Sequence, residues 1–535
     1  MADVEWAVSR SAVGAGGSLG HHAAVATAHP LATQAALEIL SEGGNAVDAA
    51  VAAAWALSVC EPSASGLGGQ TTVLMHRPGD APRVFDGHSY APRGVSKQTV
   101  SRAEQRTGHR ACVIPSTVAT LCYVHRRYGR LARGRVMAAA IRIAESGYEV
   151  SPLLRRQIRW TLPAMSVSAG MSGLFLPGGQ VPVVGGRLRH PALAATLRRL
   201  LTAGEDDFYR GALAREIVDD MARHRGLIDA EDLAAFTMPV ERAALVESYR
   251  GYRVVTAPPP AGGLQLLLGL KVLEYLEGDR PEASPDRWRA RLALATYAVF
   301  RDREQRDLAF DETQTAVDQI RLDDRAAAIA RAVGVHLPVA SRTVEESGDT
   351  THLTVADAAG AVVTLTQSIQ SVFGAKVANA PLGFVYNNYL SACPRSRHRR
   401  QLASGCRPRS NAAPTIVFGR GTQGDCPVLA LGAAGSRRIT SALLHVITGV
   451  LDRGLGLREA MAAPRVHALT SGKAWVEQPA ATVALLAALE GRSLRPVVKR
   501  PLDLAMGCVQ AIQIFGDGRM TAAADPRRDG TADGV

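Results

Sequence analysis

The sequence lacks the cysteine pattern of a disulfide framework or a zinc site. It has seven cysteines, an odd number, at irregular spacing and without a Cys-x-x-Cys pair. Cys60 and Cys122 stand in apolar runs, so we expect both thiols in the core. No metal, cofactor or disulfide is therefore predicted.

The sequence also lacks the features of a signal peptide or a membrane span. Residues 1–10 carry no basic stretch followed by an apolar one. The best apolar candidate, residues 46–60, contains Asp48, and no uncharged run reaches the length that a membrane span needs. We expect a cytoplasmic protein that has no membrane partner.

Nucleic-acid-binding motifs are lacking too, although the formal net charge is +12. Basic residues are spread over many segments, without a zinc-finger, homeodomain or RNA-binding signature. Apolar residues make up 47% and charged residues 21%, the balance of a globular protein. We therefore predict no nucleic-acid partner, because the charge fits a basic pocket for an acidic small molecule better.

Helical patterns dominate the part of the chain before Thr350, and strand patterns dominate the part after it. The spacing predicts a helix that starts at Pro30, a second helix over 46–59, and mainly helices through 116–340. From Thr350 an alternating run, a turn at 357–360 and a returning run at 361–368 predict a β-hairpin. Strands at both ends with helices between them indicate an α+β fold, with sheets covered by helices.

Thr350 and Thr351 open the first strand of that hairpin, directly after Gly348 and Asp349. If the chain is cut before Thr350, this residue gains a free α-amine beside its own hydroxyl, so a nucleophile and its base share one residue. The pKa of such an amine is near 8, so a useful fraction of it is neutral at about pH 7. His352 should face the same side as Thr350, and we expect it to pack rather than to react.

Short motifs along nearly the whole chain are weak singly but specific in their order and spacing. They include His29-Pro-Leu-Ala-Thr-Gln-Ala, Gly43-Gly-Asn-Ala-Val-Asp-Ala-Ala, Ser65-Gly-Leu-Gly-Gly, Thr350-Thr-His, Gly435-Ser-Arg and Ala463-Pro-Arg-Val-His. In these motifs the sequence resembles the γ-glutamyltransferases (γ-glutamyl transpeptidases), as a divergent member of that family. The resemblance extends from about residue 29 to residue 467.

The resemblance implies a four-layer αββα sandwich of the N-terminal-nucleophile hydrolase class. It also implies a precursor that cuts itself between Asp349 and Thr350. The products would be a large, mostly helical segment, 1–349, and a small segment, 350–535. The two would pair as a heterodimer that forms one αββα unit.

The same resemblance implies roles for residues around the nucleophile. Ser368 matches a threonine that hydrogen-bonds the nucleophile. Ala434 and Gly435 match a glycine pair whose N–H groups form the oxyanion hole, a role that needs only the backbone. Ser410 and Asn411 match two serines that hold a substrate carboxylate, and Asn411 keeps the ability to donate.

Three positions depart from the family pattern where it binds a γ-glutamyl group. His88 replaces the arginine that grips the α-carboxylate, and Gln370 replaces an asparagine. Ala392 stands near the place of the aspartate that holds the α-amine. Histidine has no bidentate fork, and alanine cannot pair with an ammonium group. The amino-acid clamp is therefore rebuilt, and ordinary glutathione cleavage is not expected.

The loop expected to cover the site, residues 393–409, is strongly basic. Its arginines are able to attract an anionic substrate, although charge runs are often simply exposed surface. They are Arg395, Arg397, Arg399, Arg400, Arg407 and Arg409. We count Arg407 among the predicted substrate-binding residues.

The leading hypothesis is a self-processing hydrolase or acyltransferase that forms an acyl-enzyme on Thr350. Its substrate would be a small acidic molecule other than a γ-glutamyl compound, in a biosynthetic reaction. A second hypothesis is C–C bond hydrolysis, in which some family members from 4-alkylproline antibiotic pathways are implicated. A third is an uncut binding protein, because the sequence does not assure cleavage after Asp349.

Overall fold

Two antiparallel sheets packed face to face form the centre of the molecule. The computed structural model describes residues 22–237, 239–278, 281–305, 322–335, 348–394, 402–421 and 424–535. Within these ranges one sheet has seven strands and the other has six. Each sheet takes strands from before and after Thr350, so the two segments of the chain build one unit.

The strands of the described residues are numbered along the chain. They are β1 Ala24–Thr27, β2 Gln70–His76, β3 Arg83–Asp86, β4 Tyr148–Glu149, β5 Arg187–Leu188, β6 Val240–Ala243, β7 Leu245–Tyr249, β8 Tyr252–Thr256, β9 Gly348–Ala356, β10 Val362–Ser371, β11 Ala378–Asn379, β12 Phe384–Val385, β13 Thr415–Gly421, β14 Gly424–Ala434, β15 Val466–Ala468, β16 Lys473–Glu477, β17 Arg495–Lys499, β18 Cys508–Ile514, β19 Met520–Ala524 and β20 Thr531–Gly534. The seven-stranded sheet has the order β20-β1-β9-β10-β2-β3-β6, and the six-stranded sheet has the order β19-β18-β14-β13-β8-β7.

The α-helices are numbered in the same way. They are α1 Pro30–Ser41, α2 Ala46–Cys60, α3 Thr117–Tyr128, α4 Arg133–Ser146, α5 Pro152–Ser166, α6 Ala169–Phe175, α7 Pro191–Ala203, α8 Glu205–Tyr209, α9 Ala212–Arg223, α10 Ala230–Ala234, α11 Gly263–Glu277, α12 Pro285–Gln305, α13 Leu322–Val335, α14 Arg438–Leu451, α15 Leu457–Ala462 and α16 Val483–Glu490. Across the described ranges, no helix combines the length and the apolar character needed to cross a membrane.

Helices cover the outer face of each sheet. α1, α2 and α3 lie on the seven-stranded sheet, and α11 and α14 lie on the six-stranded sheet. Small and branched side chains fill the space between the sheets, among them Ala24, Ala26, Leu74, Val255 and Ile416. The layers therefore follow the order helix, sheet, sheet, helix, which confirms the predicted α+β sandwich.

α2 is buried on every side, as its alanine-rich sequence allows. A capping box starts the helix: the Asn45 side chain accepts from the Asp48 N–H at 2.9 Å, and the Asp48 carboxylate accepts from the Asn45 N–H at 3.1 Å. Asp48 also accepts from the backbone N–H of Arg130 at 3.0 Å. The same carboxylate therefore starts α2 and holds the end of α3 against it.

The predicted hairpin is formed by β9 and β10, and alternate residues of β9 face different layers. Leu353 and Val355 belong to the apolar cluster under the helices. His352 faces the other sheet. Its ring nitrogens lie 2.9 Å from Oγ1 of Thr366 and 2.9 Å from Oγ1 of Thr364, two residues of the neighbouring strand β10. Burial lowers the pKa of His352 to about 3, so the ring is a neutral packing element.

Gly432 of β14 provides the space that the His352 ring occupies. A Cβ atom on Gly432 would lie 2.1 Å from Cε1 of His352. The threonine hydrogen bonds prevent the ring from moving aside, so Gly432→Ala is expected to lower the free energy of unfolding by about 1–3 kcal/mol or more. Gly173→Ala is the matched control, because its Cβ meets nothing within 4 Å. Equal urea midpoints for the two variants would contradict this packing of the sheets.

Candidate active site

Thr350 and Ser368 meet where the hairpin strands lose their regular pairing. The Thr350 Oγ1 atom lies 3.2 Å from Ser368 Oγ and 2.7 Å from the carbonyl oxygen of Asp349. Ser368 Oγ lies 2.9 Å from the same carbonyl oxygen. Two hydroxyls therefore contact the carbonyl of the peptide bond at which the sequence predicts cleavage.

A bulge in β10 directs Ser368 to this carbonyl. The register of β10 against β9 shifts between Gln367 and Gln370, and Gln370 has a φ of +83°. The N–H of Gln370 donates to Ser368 Oγ at 2.9 Å. Because Ser368 accepts this bond, its own proton is available to the Asp349 oxygen. The arrangement polarises the carbonyl and brings a second hydroxyl, that of Thr350, beside it.

A buried charge cluster lies behind the scissile bond. Arg528 contacts the Asp349 carboxylate, lies 3.3 Å from Glu61 Oε1, and donates to the Thr350 carbonyl oxygen at 3.0 Å. Gln157 donates to the other Asp349 oxygen at 2.7 Å. One guanidinium can neutralise only one of the two carboxylates. Burial raises the pKa of Glu61 to about 8, outweighing Arg528, so Glu61 is neutral at about pH 7.

His88 lines the cavity beside Thr350 and is fixed by Asp86. The His88 Nδ1 atom lies 2.7 Å from Asp86 Oδ1. Burial opposes ionisation of Asp86, but Arg407 and His88 hold its pKa well below the usual range, so Asp86 accepts and Nδ1 donates. The Nε2 atom of His88 has no hydrogen-bond partner among the residues that the structure describes. This nitrogen is therefore available to a substrate.

Arg407, predicted to bind substrate, lies behind His88. Its guanidinium donates to Asp86 at 2.9 Å and to the carbonyl oxygen of His88 at 3.0 Å. Arg242 contacts the same carboxylate oxygen at 3.1 Å. Neither arginine is among the residues that line the cavity. Their contacts hold Asp86 and His88 in place, and the substrate-binding role of Arg407 stays a prediction.

Ala392 and four arginines of the basic loop complete the predictions for this region. Ala392 ends the short 3-10 helix Tyr389–Ala392 and does not line the cavity. Four of the predicted arginines lie outside the described residues: Arg395, Arg397, Arg399 and Arg400.

Ser410 and Asn411 line the cavity from the side of the six-stranded sheet. Arg303 of α12 donates to Asn411 Oδ1 at 2.6 Å, which leaves the amide nitrogen as the group that faces Ser436 Oγ, at 3.4 Å. Ser410 Oγ accepts from the Ala412 N–H at 3.1 Å. Asn411 can therefore donate in the place where the resemblance implies a serine.

Ala434 and Gly435 stand where β14 turns into α14. Ala434 pairs with Cys508, and Gly435 and Ser436 have φ values of +124° and +56°. Ser436 lines the cavity, whereas the other two do not, and a Cβ atom on Gly348 would lie 2.6 Å from the Ser436 Cβ atom. The sequence analysis missed Ser436, and the oxyanion role of its two neighbours stays a prediction.

The cavity among these residues is very small in the uncut chain. Its volume is about 10 Å³, room for about one water molecule. A substrate therefore needs space that the uncut chain does not provide. The other residues that line the cavity come from separate parts of the chain. They are Gln70, Thr72, Thr366, Tyr389, Ala412 and Ile439.

Comparisons with known proteins identify the family of this chain. The gamma-glutamyltranspeptidase family model matches residues 32–535. The chain is 34% identical over 532 residues to the acylase ACY 1 proenzyme of Pseudomonas sp. strain SE83, covering 96% of this chain and 93% of that protein. It is 29% identical over 531 residues to the glutathione hydrolase proenzyme of Escherichia coli strain K12, covering 94% and 90%. The cephalosporin acylase from Bacillus halodurans superposes with a TM-score of 0.88 and 26% identity, over 100% of this chain and 99% of that one.

Substitution of the two hydroxyls tests their part in self-cleavage. Thr350→Ala should leave one 56.5 kDa chain on a denaturing gel, because the attacking oxygen is gone. Ser368→Ala should slow cleavage by about 100-fold, the usual effect of losing one donor to a developing oxyanion. Ser368→Thr keeps the hydroxyl and is the control that should still cut. Two fragments of unchanged size from Thr350→Ala would contradict the assignment.

The charge cluster predicts a pH-dependent effect of Glu61→Gln, measured in the uncut Thr350→Ala background. Folded Glu61 keeps its proton up to about pH 8, whereas the ordinary pKa of a glutamate side chain is 4.5. Its contribution to stability is therefore complete below pH 4.5 and is lost as the pH rises to about 8. Relative to its parent, Glu61→Gln should gain at most about 1.4 kcal/mol per pH unit across this window. A difference in unfolding free energy that is independent of pH would contradict a protonated Glu61.

Proposed function

The chain belongs to the gamma-glutamyltranspeptidase family and has an N-terminal-nucleophile hydrolase fold, and from that premise we propose that it is a self-processing enzyme. The Thr350 oxygen attacks the Asp349 carbonyl carbon, the peptide nitrogen leaves as a new α-amine, and water opens the resulting ester. The observation that carries this proposal is the pair of hydroxyls, Thr350 and Ser368, at 2.7 and 2.9 Å from one carbonyl oxygen.

Cleavage would yield fragments of 349 and 186 residues that stay together. The seven-stranded sheet places β9 of the second fragment between β1 of the first and β10 of the second. The six-stranded sheet joins β8 of the first to β13 of the second. Separation would expose these strand edges and the core between the sheets, so a stable heterodimer follows.

After cleavage the new α-amine accepts the Thr350 hydroxyl proton and later returns it. The Thr350 oxygen then attacks a substrate carbonyl to give an acyl-enzyme, which water or an amine releases. The backbone N–H groups of Ala434 and Gly435 stabilise the oxyanion in this proposal. Two groups offer hydrogen bonds for the acyl chain, His88 Nε2 and the Asn411 amide.

The acyl chain that we propose carries an acidic group and no α-amine, as suits a biosynthetic substrate more than glutathione. Because His88 donates from Nδ1 to Asp86, its Nε2 atom can donate to a carboxylate only when the ring carries both protons. This proposal therefore needs His88 as an imidazolium, which binds the carboxylate at a single point and cannot grip it bidentately. Ala392 supplies no charge for an ammonium group. An acylase among the close relatives supports an acyl group other than γ-glutamyl.

Two chromogenic amides that differ by one amine test the substrate class. Glutaryl anilide carries the carboxylate alone, whereas γ-glutamyl anilide adds the α-amine. We expect kcat/KM to be at least about 10-fold higher for the glutaryl compound. The α-amine of the γ-glutamyl compound would be desolvated in the site without a carboxylate to pair with it. Faster turnover of the γ-glutamyl compound would contradict the rebuilt clamp. A cut chain inert toward all amides, yet active on an oxalyl-type C–C bond, would favour the C–C hydrolase.

The proposed role of His88 in substrate binding is tested in fully cleaved protein. His88→Ala should reduce kcat/KM for glutaryl anilide by about 10- to 100-fold through loss of one charge-assisted hydrogen bond. Replacement of the exposed His22 by Ala is the control and should leave kcat/KM unchanged. Equal values of kcat/KM for the two variants would contradict the proposal that His88 binds the substrate.

A further inference from the structure

A larger cavity lies apart from the Thr350 site. It measures about 810 Å³ and shares no lining residue, within the described ranges, with the cavity at Thr350. Its wall contains His109, from the 3-10 turn His109–Ala111, and Asp220 and His224, from the last turn of α9 and its C-cap. The fold thus places His109 beside Asp220 and His224, which come more than a hundred residues later in the sequence.

These three side chains lie at distances that suit one metal ion. The His109 Nε2 atom is 3.3 Å from Asp220 Oδ2, and the His224 Nδ1 atom is 3.3 Å from Asp220 Oδ1. If one possible ligand atom is taken from each residue, the three atoms lie within 4.8 Å of one another. Zinc bonds of about 2.0–2.1 Å in a tetrahedron place neighbouring ligand atoms roughly 3.3 Å apart.

We propose that His109, Asp220 and His224 bind a Zn²⁺ ion and that the cavity admits a water molecule as the fourth ligand. Imidazole is a preferred ligand of zinc, and a carboxylate balances part of its charge. Each imidazole nitrogen already lies at a suitable distance from one oxygen of Asp220, His109 from Oδ2 and His224 from Oδ1. To bind one ion, the carboxylate has to turn or to bind through both oxygens, and the two imidazole nitrogens have to approach each other.

The Nε2 atom of the buried His109 ring lies 3.3 Å from Asp220 Oδ2 without the geometry of a hydrogen bond. His109 is 9% exposed, and its Nε2 atom has no hydrogen-bond partner among the described residues, although Asp220 is near. A buried polar atom without a hydrogen bond costs free energy unless another partner is bound. Coordination of a metal ion would provide that partner.

A second layer of contacts already holds the carboxylate in place. The Tyr386 hydroxyl donates to Asp220 Oδ2 at 3.0 Å, and the Asn379 amide donates to the Tyr386 oxygen at 3.2 Å. Such outer contacts fix the direction of a ligand and are a usual part of metal sites. They also connect α9 to the segment after β12, so a bound ion would join three separate parts of the fold.

Three features oppose binding, and movements of exposed side chains can relieve them. The His224 Nδ1–H donates to the Asp220 carbonyl oxygen at 2.9 Å, and it has to release this bond and its proton to bind an ion through Nδ1. The His109 and His224 rings stack with centroids 4.4 Å apart and planes 8° from parallel, so they cannot both point a nitrogen at one ion. His224 is 45% exposed and can rotate. The Arg223 guanidinium lies 3.7 Å from Asp220 Oδ1 but is 63% exposed and can move into solvent.

Zinc binding to tag-free protein tests the proposal. Competition with a fluorescent zinc chelator should give one ion per chain. His224→Ala should weaken that affinity at least 10-fold, and Asp220→Asn should do the same while keeping the size of the side chain. Arg223→Ala is the matched control on the same helix turn; it removes the competing cation and should bind zinc equally well or more tightly.

Two further readouts distinguish a built site from loose surface binding. Cobalt in place of zinc should show the visible absorption bands of a four-coordinate ion in the parent and lose them in His224→Ala. Zinc should raise the thermal midpoint of the parent but not of His224→Ala. Fewer than half an ion per chain, or equal affinity in the parent and His224→Ala, would overturn the proposal. Self-cleavage of His224→Ala on a gel verifies that this variant is folded.

Discussion

The contact between the Ser368 hydroxyl and the Asp349 carbonyl oxygen is the interaction on which the proposed chemistry depends. An unactivated threonine hydroxyl is a poor nucleophile, so a peptide bond next to it survives unless its carbonyl is polarised and held in reach. The bulge after Gln367 provides the first condition by turning Ser368 inward. The position of Thr350 near the start of β9, between two sheets, provides the second.

Neutralisation of the buried charge of Asp349 is the second requirement of the proposed cleavage between Asp349 and Thr350. Arg528 contacts Asp349 and holds the Thr350 carbonyl, while burial keeps Glu61 protonated. Arg527, the preceding residue, contacts Glu477 and Asp525 on the six-stranded sheet side. Two consecutive arginines near the C-terminal end therefore connect the cleavage site to the second sheet. A buried carboxylate at Asp349 would be costly without them.

Sequence reasoning predicted the elements well and the side-chain partnerships poorly. Local spacing is enough to place the hairpin at Thr350 and the alanine-rich helix after Asn45, since both depend on neighbours within a few residues. The resemblance led to Ser368. The contacts of Arg407 with Asp86 and with the His88 carbonyl oxygen were not predicted, because the direction of a long side chain depends on partners from other elements. Ser436 and the His109–Asp220–His224 group were missed for the same reason.

The most direct test of the central claim is the mass of the small fragment in purified wild-type protein. We expect one fragment of 186 residues whose first residue is Thr350 with a free α-amine, and a mass increase on that fragment alone when a slowly released acyl substrate is added. An uncut chain, a fragment that begins at another residue, or an adduct on the large fragment would contradict it.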